Sequence, residues 1–302
     1  MTQHRTLRPP RIAAALLVTL LALTGCTSSS DQSASRASVA DKVKVAPSGG
    51  TYVALGDSFT SAPLVPVTDV ASGCFRSSAN YPTLLAAKLG LKLDDRSCGG
   101  AVTADFTKSQ YPGVPPQFSA LSEKTDVVTV GIGGNDNRLF RQLVGKCPAV
   151  GGPEATGTPC TDLMTSGGGD RLSRAITKAH PKIVTAIREI QRRAPEAKVL
   201  VVGYPQMITP DSTCAELPLA KGDYPYAAKI NKALTDSLQR AATKTGATYI
   251  DVFAASKGHD ICSADPWVNG AVNDQKRAAR YHPFAAEQVA VAKLVEGALA
   301  RG

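Results

Sequence analysis

The sequence predicts a three-layer α/β/α sandwich, with a mostly parallel sheet of about five strands and helices on both faces. Three observations point to it. Short apolar runs of strand length alternate with longer stretches of helical period. The run Asp126 to Ile132 (DVVTVGI) is rich in valine and closes on Gly133-Gly134-Asn135, as a strand buried on both faces does. No internal repeat breaks the alternation.

In order along the chain, Thr51 to Leu55 forms the first strand and ends at Gly56-Asp57-Ser58. Tyr81 to Leu89 reads as a helix with Leu84, Leu85 and Leu89 on one face, and Leu91 to Asp95 as a short strand. Asp126 to Ile132 follows as the third strand. Arg171 to Arg193 is a long amphipathic helix, expected to break or restart near Pro181, whose ring removes one helical hydrogen bond. It leads into Ala197 to Val202 (AKVLVV), a buried strand. A helix over Tyr226 to Thr243 precedes the strand Thr248 to Val252. Pro283 to Ala300 closes the chain as a helix, with Pro283 suited to its first position.

Ahead of this domain, Arg5, Arg8 and Arg11 precede an apolar run from Ile12 to Leu23, the charged-then-hydrophobic order of a secretory signal. The run is short for a membrane span, which needs about 20 apolar residues. Leu23-Thr24-Gly25-Cys26 ends it and resembles the bacterial lipobox, in which the Cys becomes the first mature residue and carries the lipid. The segmentation expected is therefore a signal peptide over 1–25, a lipidated flexible tether over 26–50, and one domain over 51–302. The Ser- and Ala-rich composition from Thr27 to Gly50 suits such a tether.

Cysteine usage agrees with export. Of seven cysteines, setting Cys26 aside leaves six, an even set suited to three disulfides in an oxidising compartment. Six cysteines permit fifteen connectivities. Order along the chain favours Cys74–Cys98, Cys147–Cys160 and Cys214–Cys262. No Cys-x-x-Cys spacing or neighbouring His pattern suggests zinc, and no metal is expected. The formal charge of +9 falls to +6 once the three signal arginines are removed, 31 basic against 25 acidic residues. No basic run of five or more is present, so nucleic acid is not an expected partner.

In an open parallel sheet ligands bind beyond the carboxyl ends of the strands, and the chemically informative residues fall there. Ser58 follows the first strand, Cys98-Gly99-Gly100-Ala101 follows the second, Gly133-Gly134-Asn135 ends the third, and Tyr281-His282-Pro283 stands before the last helix. In order and local sequence these blocks resemble the SGNH or GDSL hydrolase superfamily from Thr51 to the C-terminus. The actinomycete extracellular lipase and esterase branch is the most similar, sharing YVALGDS, a CxGA turn, IGGND, a CS-x-x-PW segment (Cys262 to Trp267) and YHP.

The resemblance implies a flavodoxin-like sheet and a cofactor-free serine ester hydrolase, with Ser58 as nucleophile and His282 as general base and acid. It places oxyanion donors on the backbone N–H groups of Ser58 and Gly100 and on the Asn135 amide. One departure matters: the Asp that most members carry three residues before the His is here Ala279. The similar lipase branch implies a Ser-His dyad instead, the imidazole being held by the main-chain carbonyl of Arg280. Asp265 and Asp274 stay open as third members.

Plainer roles suit other residues: turn and cap for Asp57, structure or surface for His180 and His259, core or pocket wall for Trp267, and a loop for Gly167 to Gly169. Gly145 to Gly169, together with Ala62 to Val70 and Phe106 to Phe118, is expected to shape an acyl pocket. The expected substrate is an acyl lipid or short-chain ester. The expected protein is a monomer, anchored by lipid alone on the extracytoplasmic side or shed from it. A carbohydrate acetyl esterase, or a non-catalytic surface-binding lipoprotein, is the alternative.

Overall fold

The structure, a computed structural model, describes residues 49–301. The chain parts into two units, Met1–Lys42 and Val43–Gly302. The signal-like segment, Cys26 and the stretch up to Ser48 lie outside the described residues.

Five parallel strands make the main sheet: β1 (Thr51–Gly56), β2 (Lys92–Asp95), β3 (Val127–Gly131), β4 (Lys198–Val202) and β5 (Thr248–Ile250). Their spatial order is β2-β1-β3-β4-β5, the flavodoxin-like arrangement, with Gly56 level with Gly131 where the two central strands end. The valine-rich reading of β3 holds, since all five of its residues are buried. β2 is an edge strand, and its sequence KLDD places charge there, where it discourages pairing with a foreign strand.

Alternation along each strand feeds two separate cores. Tyr52 and Ala54 of β1 join Leu200 and Val202 of β4 against helices α2 (Tyr81–Leu89) and α5 (Ala285–Ala300). Val53 and Leu55 point the other way, with Val128, Val130 and Val201, against α3 (Arg171–Arg193) and α4 (Tyr224–Thr245). A very short helix, α1 (Ser58–Ser61), follows β1 directly. A small antiparallel pair, Thr68–Asp69 with Arg76–Ser77, lies outside the main sheet.

Several limits depart from the sequence reading; the last strand, for one, stops at Ile250, and Val252 opens a short helix. α3 runs unbroken through Pro181. Pro181 and Thr177, whose carbonyl loses its helical donor, are both exposed, on the side of the helix where solvent can replace the bond. α4 begins two residues early, at Tyr224, with Pro225 in its first turn. α5 begins at Ala285, and Pro283 lies before it as a β-bridge partner of Val268. Bonds from Asn269 N–H to the His282 carbonyl (2.9 Å) and from Phe284 N–H to the Trp267 carbonyl (2.8 Å) hold 282–284 extended and delay the helix.

The disulfides are Cys74–Cys98, Cys147–Cys160 and Cys214–Cys262, the pairing that chain order favoured. Every one of the six cysteines stands in a segment that leaves the carboxyl end of a strand.

Candidate active site

β1 delivers Ser58 through a turn that only glycine permits. At Gly56 φ is +153°, and an added Cβ would lie 2.4 Å from Thr60 Oγ1 and 2.6 Å from the Gly131 carbonyl. Asp57 N–H donates to that carbonyl at 3.0 Å, and the Asp57 side chain caps the short helix by accepting from Phe59 N–H. Ser58 is therefore the first helical residue, 5% exposed, and its own N–H has no acceptor among the described residues. A first-turn N–H has no intrahelical partner and is free for a ligand.

The Cys98–Ala101 turn docks beside it, Cys98 N–H donating to the Gly56 carbonyl at 3.0 Å. The two glycines of this turn differ in what their N–H groups meet. Gly99 N–H is engaged by the Cys74 carbonyl at 2.8 Å, whereas Gly100 N–H has no acceptor among the described residues. From the end of β3, Asn135 gives one amide N–H to the Ala101 carbonyl at 3.1 Å, which orients the amide and leaves its second N–H available. Asp136 ties the same two segments, accepting from Thr103 N–H at 3.0 Å and Thr103 Oγ1 at 2.6 Å. Asn135 thus spends its side chain on the turn and not on capping.

His282 is half-buried and approaches from a loop of backbone bonds. Its Nδ1 lies 2.7 Å from the Arg280 carbonyl. A carbonyl only accepts, so Nδ1 carries the hydrogen and Nε2 keeps its lone pair. The ring lies over Phe59, centroids 5.8 Å apart. Ala279 N–H donates to the Pro63 carbonyl at 3.0 Å, and Asn269 holds the loop from within through the Val272 and Ala278 carbonyls at 2.8 and 2.9 Å. Burial, and then the positive charge of Arg280, depress the His282 pKa below 6.5, while the bond to the Arg280 carbonyl partly offsets them. The two acids left open go elsewhere. Asp265 meets His259, and Asp274 serves its own turn by accepting from Lys276 N–H.

Beneath Ser58 lies a brace that sequence reasoning missed. Tyr204 donates its hydroxyl to Asp57 Oδ2 and accepts from Gly134 N–H at 2.9 Å, so one phenol joins the Ser58 turn to the Asn135 strand end. Burial pushes the Asp57 carboxyl up to about 7, against the pull of these hydrogen bonds. Phe59 and Phe140 each meet the Tyr204 ring edge-on at 5.1 Å. From α5, Gln288 donates to the Phe59 carbonyl at 3.0 Å and accepts from Tyr81 N–H at 2.7 Å. Its neighbour Glu287 is buried, and that burial raises its carboxyl to about 8. A polar pair on the stripe that continues through Val291 and Val295 was the available signal in the sequence.

Ser58 and His282 line two cavities together. One, of about 720 Å³, has Asn135, Phe140, Val144, Met207 and Pro218 in its walls. The other, of about 410 Å³, holds Pro63, Leu64, Phe75 and Gly100. The expected acyl pocket needs revision. Gly145, Pro148 and Ala149 contribute from the disulfide-stapled segment, and Pro63 and Leu64 from the segment after Ser58. Phe106 and Phe118 do not reach Ser58. They stack on each other at 4.7 Å and line a separate groove of about 910 Å³ against α3. That groove is the larger, but it holds neither Ser58 nor His282. Trp267 stacks on His259 at 4.4 Å, half-buried and outside both cavities, so it is neither core nor pocket wall. His180 bonds Ser237 and links α3 to α4.

Residues 54–286 match the GDSL-like Lipase/Acylhydrolase family. Lipase 2 of Streptomyces coelicolor is 44% identical over 219 residues, 70% of this chain and 73% of that protein. An esterase of Streptomyces scabiei is 29% identical over 91% of this chain and 87% of its own. The crystal structure of phospholipase A1 from Streptomyces albidoflavus NA297 superposes with a TM-score of 0.68 at 28% identity, covering 82% of this chain and 99% of that one. That of the extracellular lipase from Streptomyces rimosus gives the same TM-score at 26% identity, covering 83% of this chain and 100% of that one.

Proposed function

The chain belongs to the GDSL-like lipase/acylhydrolase family and is a carboxylic ester hydrolase, and from that premise we propose that it works through an acyl-enzyme on Ser58. In this reading His282 Nε2 takes the Ser58 hydroxyl proton as Oγ attacks the ester carbonyl. The tetrahedral oxyanion forms among the N–H groups of Ser58 and Gly100 and the spare amide N–H of Asn135. His282 then returns the proton to the departing alcohol, and water repeats the sequence to release the acid.

One observation carries the reading: His282 has its Nδ1 hydrogen committed to a main-chain carbonyl at 2.7 Å while it lines the same cavities as Ser58. The carbonyl sets the tautomer without adding the negative charge that a third-member carboxylate brings to the imidazolium. The apolar walls of the larger cavity favour an acyl chain over an acetylated sugar.

A fluorophosphonate probe tests the nucleophile. Wild type is labelled and Ser58→Ala is not; equal labelling of both would end the proposal. Asn135→Ala should lower kcat by about a hundredfold to a thousandfold, the usual loss of one oxyanion donor.

We also propose that the domain works outside the cytoplasm, tethered by a lipid on Cys26 and carried there by residues 1–25. The support is the Leu23-Thr24-Gly25-Cys26 motif after its apolar run, together with three disulfides, which persist in oxidising compartments. An alkyne fatty acid fed to expressing cells should label the chain and fail to label Cys26→Ser; labelling of both would overturn the anchor.

A further inference from the structure

Two backbone groups that face α5 find no partner in their own helices. The Phe59 carbonyl would accept from the residue four places on, but that residue is Pro63 and has no N–H. Tyr81 opens α2, so its N–H has no intrahelical acceptor, and the capping oxygen of Asn80 is given to Thr83 N–H at 3.1 Å. One side chain from the first turn of α5 meets both. Gln288 donates to the Phe59 carbonyl at 3.0 Å and accepts from Tyr81 N–H at 2.7 Å. Its second amide hydrogen goes to Glu287 Oε2 at 2.6 Å. The Tyr81 N–H requires an acceptor, so the amide has a single orientation, with every polar group used.

Gln288 is fully buried and lines neither of the cavities that Ser58 and His282 share. A bound ester would not touch it. What it joins are the two sides of the reacting pair. Phe59 is bonded to Ser58 through the chain, and its ring lies 5.8 Å from the His282 imidazole. On the other side α5 begins at Ala285, three residues after His282, with Phe284 N–H tied to the Trp267 carbonyl at 2.8 Å. The bond from Gln288 to Phe59 therefore closes a circuit that runs from Ser58 through Phe59 and the first turn of α5 back to His282. We propose that Gln288 is a positioning residue that fixes the spacing between Ser58 Oγ and His282 Nε2. This rests on the reading of those two residues as nucleophile and base, and it adds what holds them in register.

The experiment uses the full chain, p-nitrophenyl hexanoate and a fluorophosphonate probe. Gln288→Met keeps the length of the side chain and removes its hydrogen bonds. Gln288→Asn keeps an amide that falls one methylene short of Phe59. Each should lower kcat by roughly tenfold to a hundredfold with KM near wild type, because displacing a reacting group by about 1 Å costs that much and no substrate contact is lost. The rate constant for labelling Ser58 should fall by a similar factor.

Val291→Ala, on the same buried stripe of α5, is the comparison. It should lower the melting temperature at least as far as the Gln288 variants while kcat stays within about twofold of wild type. A kcat within about twofold of wild type in both Gln288 variants, a loss confined to KM, or an equal fall in Val291→Ala overturns the positioning role. Failure of both Gln288 variants to fold overturns it too, since Gln288 would then serve the fold alone. A wild type that hydrolyses no ester and takes no label brings down the reading of Ser58 and His282 itself.

Discussion

As the proposed base, His282 would have to be neutral to accept a proton, and its surroundings favour that state, since burial and the Arg280 charge both disfavour the imidazolium. The acid limb of kcat/KM against pH should therefore have its midpoint below 6.5, the ordinary imidazole value. A midpoint clearly above it would mean that a carboxylate reaches the ring. The Asp57–Tyr204–Gly134 brace sets a second expectation. Tyr204→Phe leaves a buried carboxylate oxygen and a backbone N–H without their partner, a loss of about 2 to 3 kcal/mol in stability. It should also lower kcat while KM stays near wild type, because Ser58 and Asn135 lose their common support. Denaturant melts and steady-state kinetics on one preparation would separate the two effects. The four candidate site residues, Ser58, Gly100, Asn135 and His282, could be picked out because each ends a strand or precedes a helix within a short recognisable block. Tyr204 could not, since it meets Asp57 across 147 residues and neither flanking sequence names the other.

At the level of elements, the strands were the readable part. Apolar runs such as that of β3 have few other uses in a soluble domain. Helix limits were less so, and the reasons are tertiary. The pairing of Val268 with Pro283 holds back the start of α5, and solvent at Thr177 lets α3 continue past a proline. Pro181→Ala should restore the missing bond and stabilise the protein by about 1 to 3 kcal/mol, less whatever the proline saves in the unfolded chain. The melting temperature checks this. α5 also carries a pH signature. A carboxyl whose folded value is raised from 4.5 to about 8 binds its proton more tightly in the native state. Glu287 thus contributes stability that is complete below pH 4.5 and is lost as pH rises through about 8. Glu287→Gln should flatten that part of the stability profile, a change that denaturant titrations at pH 5, 7 and 9 would reveal. Unchanged curvature would place the titrating group elsewhere, with Asp57 the next candidate.

Over the whole molecule the sheet and its two cores are closed by apolar packing, while the face that holds Ser58 is assembled from long crossing loops. These loops send apolar residues of their own into the core, Phe106, Phe118, Met207 and Ile261 among them, and disulfides add covalent links, two between segments and one within a segment. Closing loops of 24, 13 and 48 residues is worth about 3 to 4 kcal/mol each on chain-entropy grounds. Because all six cysteines stand in segments that leave the carboxyl ends of strands, a reductant should act on those segments before the sheet. In moderate urea, dithiothreitol should abolish esterase activity at concentrations that leave the far-ultraviolet helix signal unchanged. Simultaneous loss of both would show that the staples hold the core as well. The arrangement also dates the enzyme's birth. If the reductant acts as expected, the strands and helices form in any redox climate and the cleft is finished only by oxidation. A newly synthesised molecule would carry its scaffold complete and its chemistry dormant, and would begin to cut esters only once its surroundings had drawn electrons from six thiols.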